Sequence, residues 1–308
     1  MATFADYATR IILFGAGASY GSGAVVPRRP PLGDDLFDVL ASEFPQSWGA
    51  LPGPIRKKFA KTFEVGMAAL LATRSHAVAP MMQQFAILFS RYQLSSPNAY
   101  VSLVESLDRV GKLTGTAFAT LNYECLLEWA LTSRGRYVEC GDVLPGPRGT
   151  FLWKLHGSCN FLPRTDQLYV APPGSGVTYG PGVKFEPGIE VVHPNSVADR
   201  LRNTGLYPAM AHYAPGKEVQ VSESSIRMIQ DVYARAVPGA TSVGVIGVRP
   251  NVDDDHVWGP LASTSARVLF VGSRDTYSEW RKDHRSDRPT KYLGSRFDAA
   301  IDALVEAL

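Results

Sequence analysis

Four short apolar runs each stop on a small or polar residue. Residues 11–14 stop at Gly15, 116–121 at Asn122, 151–155 at His156 and 243–246 at Gly247. A further run, 267–271, ends at Gly272. Strands buried on both faces read as continuous apolar runs, which marks a parallel sheet in an α/β fold. In such sheets ligands bind beyond the carboxyl ends of the strands. That rule gathers the Gly15 loop, Asn122, His156 and the loop after Gly247 around one crevice. The fold expected is α/β: a Rossmann-like, mostly parallel sheet with helices on both faces and a helical insertion module.

A chain of 308 residues has room for a sizeable core and one or two domains. Hydrophobic content of 45% and charged content of 19% fit a soluble globular protein. The net charge of +2, from 31 basic and 29 acidic residues, gives no electrostatic footprint for nucleic acid. The mixed charges of residues 281–288 read as a solvated loop. The three cysteines, Cys125, Cys140 and Cys159, stand far apart in sequence and form no Cys-x-x-Cys pair. One chain cannot build a four-cysteine zinc site from them, and no metal is expected. An odd, sparse count without a leader sequence fits a reducing cytoplasm. No run approaches 18 apolar residues, so no membrane span is expected.

Residues 25–33 carry Pro27, Pro30 and Pro31 and read as an extended loop able to close over a ligand. Asp34 reads as the N-cap of the next helix. Residues 55–110 read as mainly helical, with helix starts at Pro80 and at Pro97-Asn98. From 163 to 216 proline and glycine are dense, with short strands expected at 168–171 and 190–193. Residues 225–236 form an amphipathic helix, and 296–308 close the chain as another. The organisation expected is a main domain from 1–54 and 111–273, a helical insertion at 55–110, and a tail with one helix at 274–308.

Around Gly15 and Gly17, the residues Ala16, Ala18 and Ser19 are small, so nothing bulky separates this backbone from a ligand. A strand that turns on glycines can point free N–H groups at an anion, and a helix opening there adds its dipole. The diphosphate of a dinucleotide is the natural guest; the plainer reading is a turn that lets two elements pack. His156 can serve as a general base near neutral pH, and Asn122 can hold a water or a ribose hydroxyl without titrating. The plainer readings are a packed histidine and a turn residue. A dehydrogenase fingerprint would want a third glycine where Tyr20 stands. Asp34 and Asp35 lie at the right distance for its acidic residue, but they open a helix after the proline loop.

The segments Gly15-Ala16-Gly17-Ala18-Ser19, Thr120-Leu121-Asn122-Tyr123-Glu124 and Lys154-Leu155-His156-Gly157-Ser158 resemble, in order, three signatures of the sirtuin-like NAD-binding family. Residues 209–217, 246–251 and 254–258 resemble later segments of its bacterial branch. The resemblance implies an NAD-binding fold in which Gly15, Ala16, Gly17 and Ser19 line the diphosphate and ribose. Asn122 would place a water at the anomeric carbon of the nicotinamide ribose, with His156 as general base. Gly247 and the loop behind it, including Asn251, would meet the adenosine end. Glu124 stands where the family usually has Asp; it would contact the nicotinamide carboxamide or mark a retuned site. Deacylases of the family carry a four-cysteine zinc ribbon that this chain lacks. Members without it resemble NAD-consuming antiphage effectors. The expected activity is therefore NAD+ glycohydrolysis to ADP-ribose and nicotinamide, with NAD as substrate and no zinc. Protein ADP-ribosyl transfer or deacylation, and a non-catalytic module sensing NAD or ADP-ribose, remain alternatives. With little room for a sensor domain, a homo-oligomer or a separate activating protein is expected to trigger it.

Overall fold

A computed structural model describes residues 8–73, 75–141, 143–164, 185–202, 204–214 and 216–308, without the side chains of 75, 76 and 252. In chain order the strands are β1 (Arg10–Phe14), β2 (Gly23–Val26), β3 (Gln93–Asn98), β4 (Thr116–Thr120), β5 (Tyr137–Glu139), β6 (Gly149–Lys154), β7 (Phe161–Pro163), β8 (Ile189–Val191), β9 (Ser242–Ile246), β10 (Arg267–Val271) and β11 (Thr290–Gly294). The helices are α1 (Ala16–Tyr20), α2 (Gly33–Glu43), α3 (Gly53–Phe59), α4 (Phe63–Thr73), α5 (Ser75–Ser90), α6 (Ala99–Arg109), α7 (Leu126–Ser133), α8 (Val197–Leu201), α9 (Glu223–Ala236), α10 (Asp255–Ser263), α11 (Arg274–His284) and α12 (Phe297–Ala307).

Seven strands form one parallel sheet in the order β11-β10-β9-β1-β4-β6-β5. Every residue of β4, β6 and β9 is buried, which is why they read as unbroken apolar runs. Successive side chains of β1 enter opposite layers. Ile11 and Leu13 join a core with Ile229 and Val232 of α9, Leu261 of α10 and Trp280 of α11. Ile12 and Phe14 join the other, with Leu103 of α6 and Leu304 of α12. Helices therefore cover both faces, as expected of this α/β class. The chain leaves β1 towards β4 and β6, then returns to β9 on the other flank of β1. The reversal of strand order falls between β1 and β9, with Phe14 in register with Ile246.

The second core continues without a break into the helical module. Phe37 stacks on Phe59 at 4.5 Å, and Trp48 on Phe63 at 6.0 Å. The proline segment is anchored at its start: β2 pairs antiparallel with β3, placing Val26 opposite Gln93. Asn98 caps α6 by accepting from the Tyr100 N–H at 2.9 Å.

Several elements differ from the sequence reading. Helix α2 starts at Gly33 behind a Leu32 cap, with Asp34 and Asp35 in its first turn. Pro80 lies inside α5, not at a helix start. The short strand read at 190–193 is β8, paired antiparallel with β7; the one read at 168–171 lies outside the described residues. Residues 274–308 hold α11, β11 and α12, rather than a tail and one helix. Strand β11 is a partly exposed sheet edge with no apolar run to betray it. Helix α11 buries only Trp280. Arg285 is not in a solvated loop: it is fully buried, donating to the carbonyls of Leu261, Thr264, Ala266 and Pro289 and to Thr290 Oγ1. No described helix is long and apolar enough to cross a membrane.

Candidate functional site

The loops after β1 and β9 meet at the switch point. Gly15 N–H donates to Ile246 O and Gly17 N–H to Gly247 O, each at 3.0 Å. Gly247 has a positive φ of 62°, and a Cβ there would stand 2.1 Å from the Ala18 nitrogen. These glycines thus let two loops pack against each other. Ala18 N–H turns back to Gly15 O, while Ala16 is exposed at the first position of α1. With five residues, α1 supplies little of the dipole expected of it. Asn251 Oδ1 accepts from the Asp253 N–H at 3.1 Å.

Behind the glycine turn, Ser19 is a buried junction. Its hydroxyl donates to Glu124 Oε1 at 2.5 Å, and Asn122 Nδ2 donates to it at 2.8 Å. A hydroxyl carries one proton, so the Tyr100 hydroxyl at 2.8 Å donates to Ser19 as well. Asn122 Nδ2 also donates to Gly15 O at 3.0 Å, which ties the end of β4 to the end of β1. Glu124 is buried, and its second oxygen accepts from the Leu126 N–H at the start of α7. Burial raises its pKa, while the Lys154 ammonium, the Ser19 hydroxyl and the Leu126 N–H pull it back. Buried Lys154 donates to Glu124 O at 2.6 Å and to Glu128 Oε1 at 2.8 Å.

His156 follows β6, beside the end of β4, where Leu155 N–H donates to Thr120 O. Gly157, with a φ of 77°, lets the turn run against residues 209–211: a Cβ there would lie 1.9 Å from Ala209 O. Ala211 N–H donates to His156 O at 2.9 Å. His156 Nε2 stands 3.0 Å from Asp254 Oδ1, within ion-pair reach, and both atoms are buried. The His256 ring lies 5.3 Å from that of His156. Burial alone would raise the Asp254 pKa, but His156, Lys217 and His256 hold it below the usual carboxylate value. Burial, and then His156, push His256 down to about 4.

The structure therefore brings Gly15, Gly17, Ser19, Asn122, Glu124 and Gly247 into one bonded assembly, with His156 on the adjoining strand end. Asp254 and His256 lie in the 254–258 segment, to which the sequence reading assigns a resemblance but no site role. Their signal is an Asp-Asp-His run soon after Gly247, the residue that ends β9. Cys125 and Cys159, distant in sequence, meet with their sulfurs 3.8 Å apart in the core. Among the described residues, one group has three side chains of metal-ligating type close together: His156, Asp254 and His256.

No family model matches the sequence. No curated protein matches it either. Among solved structures, the chain is similar to a Sir2 homologue in complex with NAD, at 15% identity over 99% of this chain and 91% of that one, with a TM-score of 0.43. It is similar to a structure of Sir2 enzymes described for their mechanism and regulation, at 12% identity over 98% and 93%, with a TM-score of 0.49. A Sir2 homologue variant in complex with ADP-ribose is similar at 15% identity over 99% and 93%, with a TM-score of 0.46.

Proposed function

We propose that this chain is an NAD+ glycohydrolase, cleaving NAD+ with water to ADP-ribose and nicotinamide. The observation that carries the reading is the convergence of Asn122 and His156, on the ends of adjacent strands, beside the packed glycine loops of the switch point. A dinucleotide laid across that point would set its diphosphate by the Gly15 turn and Ala16, while Ser19, buried behind them with its hydroxyl fully bonded, would brace the turn instead of touching the ligand. Its adenosine would lie towards Gly247 and Asn251, and its nicotinamide ribose towards Asn122 and His156. Nicotinamide leaves as a neutral base from a cationic ring, so little acid assistance is needed. The oxocarbenium-like state that remains is captured by a placed water. Asn122 Nδ2 is held by Gly15 and Ser19, and its Oδ1 is the atom left to hold that water. His156 takes the proton, and Asp254 at 3.0 Å offsets the charge the imidazole acquires.

The test is nicotinamide release by the purified chain, compared with Asn122→Ala and His156→Ala. Loss in both variants is expected; equal rates in all three remove the assigned roles. The resemblance of residues 209–217, 246–251 and 254–258 to the bacterial branch, with no four-cysteine ribbon in the sequence, supports NAD depletion in antiphage defence as the biological setting. Self-assembly or a separate protein would then supply the trigger, and light scattering under activating conditions would find a strict monomer if self-assembly is wrong. A protein acceptor in place of water would appear in mass spectra as a modified protein.

One observation favours a second reading. The two Glu124 oxygens and the Asn122 amide nitrogen already have partners inside the protein. A module that binds NAD or ADP-ribose and reports to a partner would need no more than such a fixed wall. Tight binding without turnover, with every trigger present, would favour it.

A further inference from the structure

Three donor atoms converge beyond the ends of β6 and β9. One atom from each of His156, Asp254 and His256 lies within 4.8 Å of the others, and His156 Nε2 and Asp254 Oδ1 approach to 3.0 Å. His156 is 5% exposed and Asp254 4%. His156 Nε2, Asp254 Oδ1 and His256 Nε2 are all buried, and apart from the approach of the first two to each other none has a hydrogen-bond partner among the described residues. Buried polar atoms are ordinarily satisfied, and these three belong to side chains of metal-ligating type gathered at one place.

We infer that His156, Asp254 and His256 bind a divalent first-row cation such as zinc, and that the bound ion holds the hydrolase inactive by coordinating the His156 imidazole proposed as base. The inhibitory half rests on the function proposed above; the binding half does not. Two imidazoles and one carboxylate suit zinc and its neighbours, and three protein ligands leave a position for water. The donors are carried on firm elements. Asp254 directly precedes α10 and His256 is in its first turn, while the turn at Gly157 is pinned to residues 209–211. Zinc takes such donors at about 2.0–2.2 Å, so modest side-chain rotation closes the set. The nearby Lys217 ammonium is paired with Glu64 at 3.0 Å, which tempers its repulsion of a cation. Cys125 and Cys159 face each other in the core and are not part of this set.

The experiment is calorimetric titration of the chelator-treated full chain with zinc chloride, together with the visible spectrum of the cobalt(II) form. One site per chain is expected, with cobalt bands but no thiolate charge-transfer band. The site disappears in Asp254→Asn and in His256→Phe, the latter keeping an aromatic ring against His156. No site, a site that survives His256→Phe, or a thiolate band overturns the proposal. For nicotinamide release, zinc is expected to inhibit the wild type at least tenfold, reversibly with chelator, and His256→Phe to keep the basal rate and lose the inhibition. Zinc bound at this site without inhibition overturns the inhibitory half. A wild type that never cleaves NAD removes the proposed function and that half with it, while calorimetry alone decides the site.

Discussion

Asn122 Nδ2 lies 2.8 Å from Ser19 Oγ, so the residue proposed to place the attacking water is itself held from the glycine turn. The same hydroxyl donates to Glu124. Ser19→Ala removes both bonds at once, together with the one from the Tyr100 hydroxyl. Asn122 would keep only Gly15 O, and a buried carboxylate oxygen would lose its donor. Leaving such an acceptor unmade costs about 1–3 kcal/mol, seen as a lower urea midpoint. The looser Asn122 is expected to slow nicotinamide release by about 10- to 100-fold, since small misplacements of a reacting group carry penalties of that order. An unchanged rate with lowered stability would confine Ser19 to a structural role.

Glu124 predicts a pH signature. Burial raises its pKa above the ordinary 4.5, despite the opposing pull of Lys154, Ser19 and Leu126. A carboxyl whose folded pKa is raised favours the folded state when protonated. Its contribution is full below 4.5 and is lost as the pH climbs through the folded value. Glu124→Gln is neutral throughout and has nearly the same shape. The wild type should therefore lose stability relative to this variant as the pH rises from 4.5. Urea unfolding of both proteins across pH 4.5 to 8 reads the difference directly, and parallel profiles would refute it.

What the sequence makes legible follows burial. Strands β1, β4, β6, β9 and β10 are almost wholly enclosed, so their apolar runs and their abrupt ends at Gly15, Asn122, His156 and Gly247 stand out. The edge strands β5 and β11 each pair on one side only and are partly exposed, so they carry no such run. The partners of the legible residues are a different matter. Ser19 and Glu124 are 105 positions apart, and nothing in either segment announces the bond. His156 and Asp254 are joined only because β9 lies across β1 from β4 and β6, and the loop after β9 folds back over the strand ends. A fold-level contact of that kind has no local pattern.

Arg285 shows how a charged stretch can hide a core element. Its guanidinium donates to carbonyls at the amino ends of β10 and β11, Ala266 and Pro289, and to the end of α10 through Leu261 and Thr264. The planar fork satisfies several acceptors that a single ammonium cannot reach together. Arg285→Lys is expected to lower stability by at least about 2 kcal/mol, because buried carbonyls lose charged donors. The carboxyl ends of the strands, where the candidate site lies, are at the opposite end of the sheet. Nicotinamide release below the melting transition should therefore be unchanged. A variant that melts like the wild type would show that these bonds contribute little.

His212 gives the clearest acid-sensitive signal. It is fully buried, and burial pushes its pKa from 6.5 down to about 4. Tyr207 donates its hydroxyl proton to Gln220 Oε1 at 3.0 Å, so at 2.8 Å His212 Nε2 must be the donor to Tyr207. That fixes the tautomer and leaves Nδ1 as the atom a second proton would take. Nδ1 is buried with no hydrogen-bond partner. A proton placed there would be a desolvated charge, which is why the folded state refuses it. The unfolded chain accepts one below 6.5, so the contribution of His212 to stability is complete above that pH and is lost as the pH falls towards about 4. The limiting slope for one such group is about 1.4 kcal/mol per pH unit. His212→Gln keeps a donor near Tyr207 but does not titrate, and its unfolding free energy should be flatter over this range. Chemical denaturation at half-unit steps of pH measures the slope in both proteins, and an equal slope would assign the acid sensitivity to other groups.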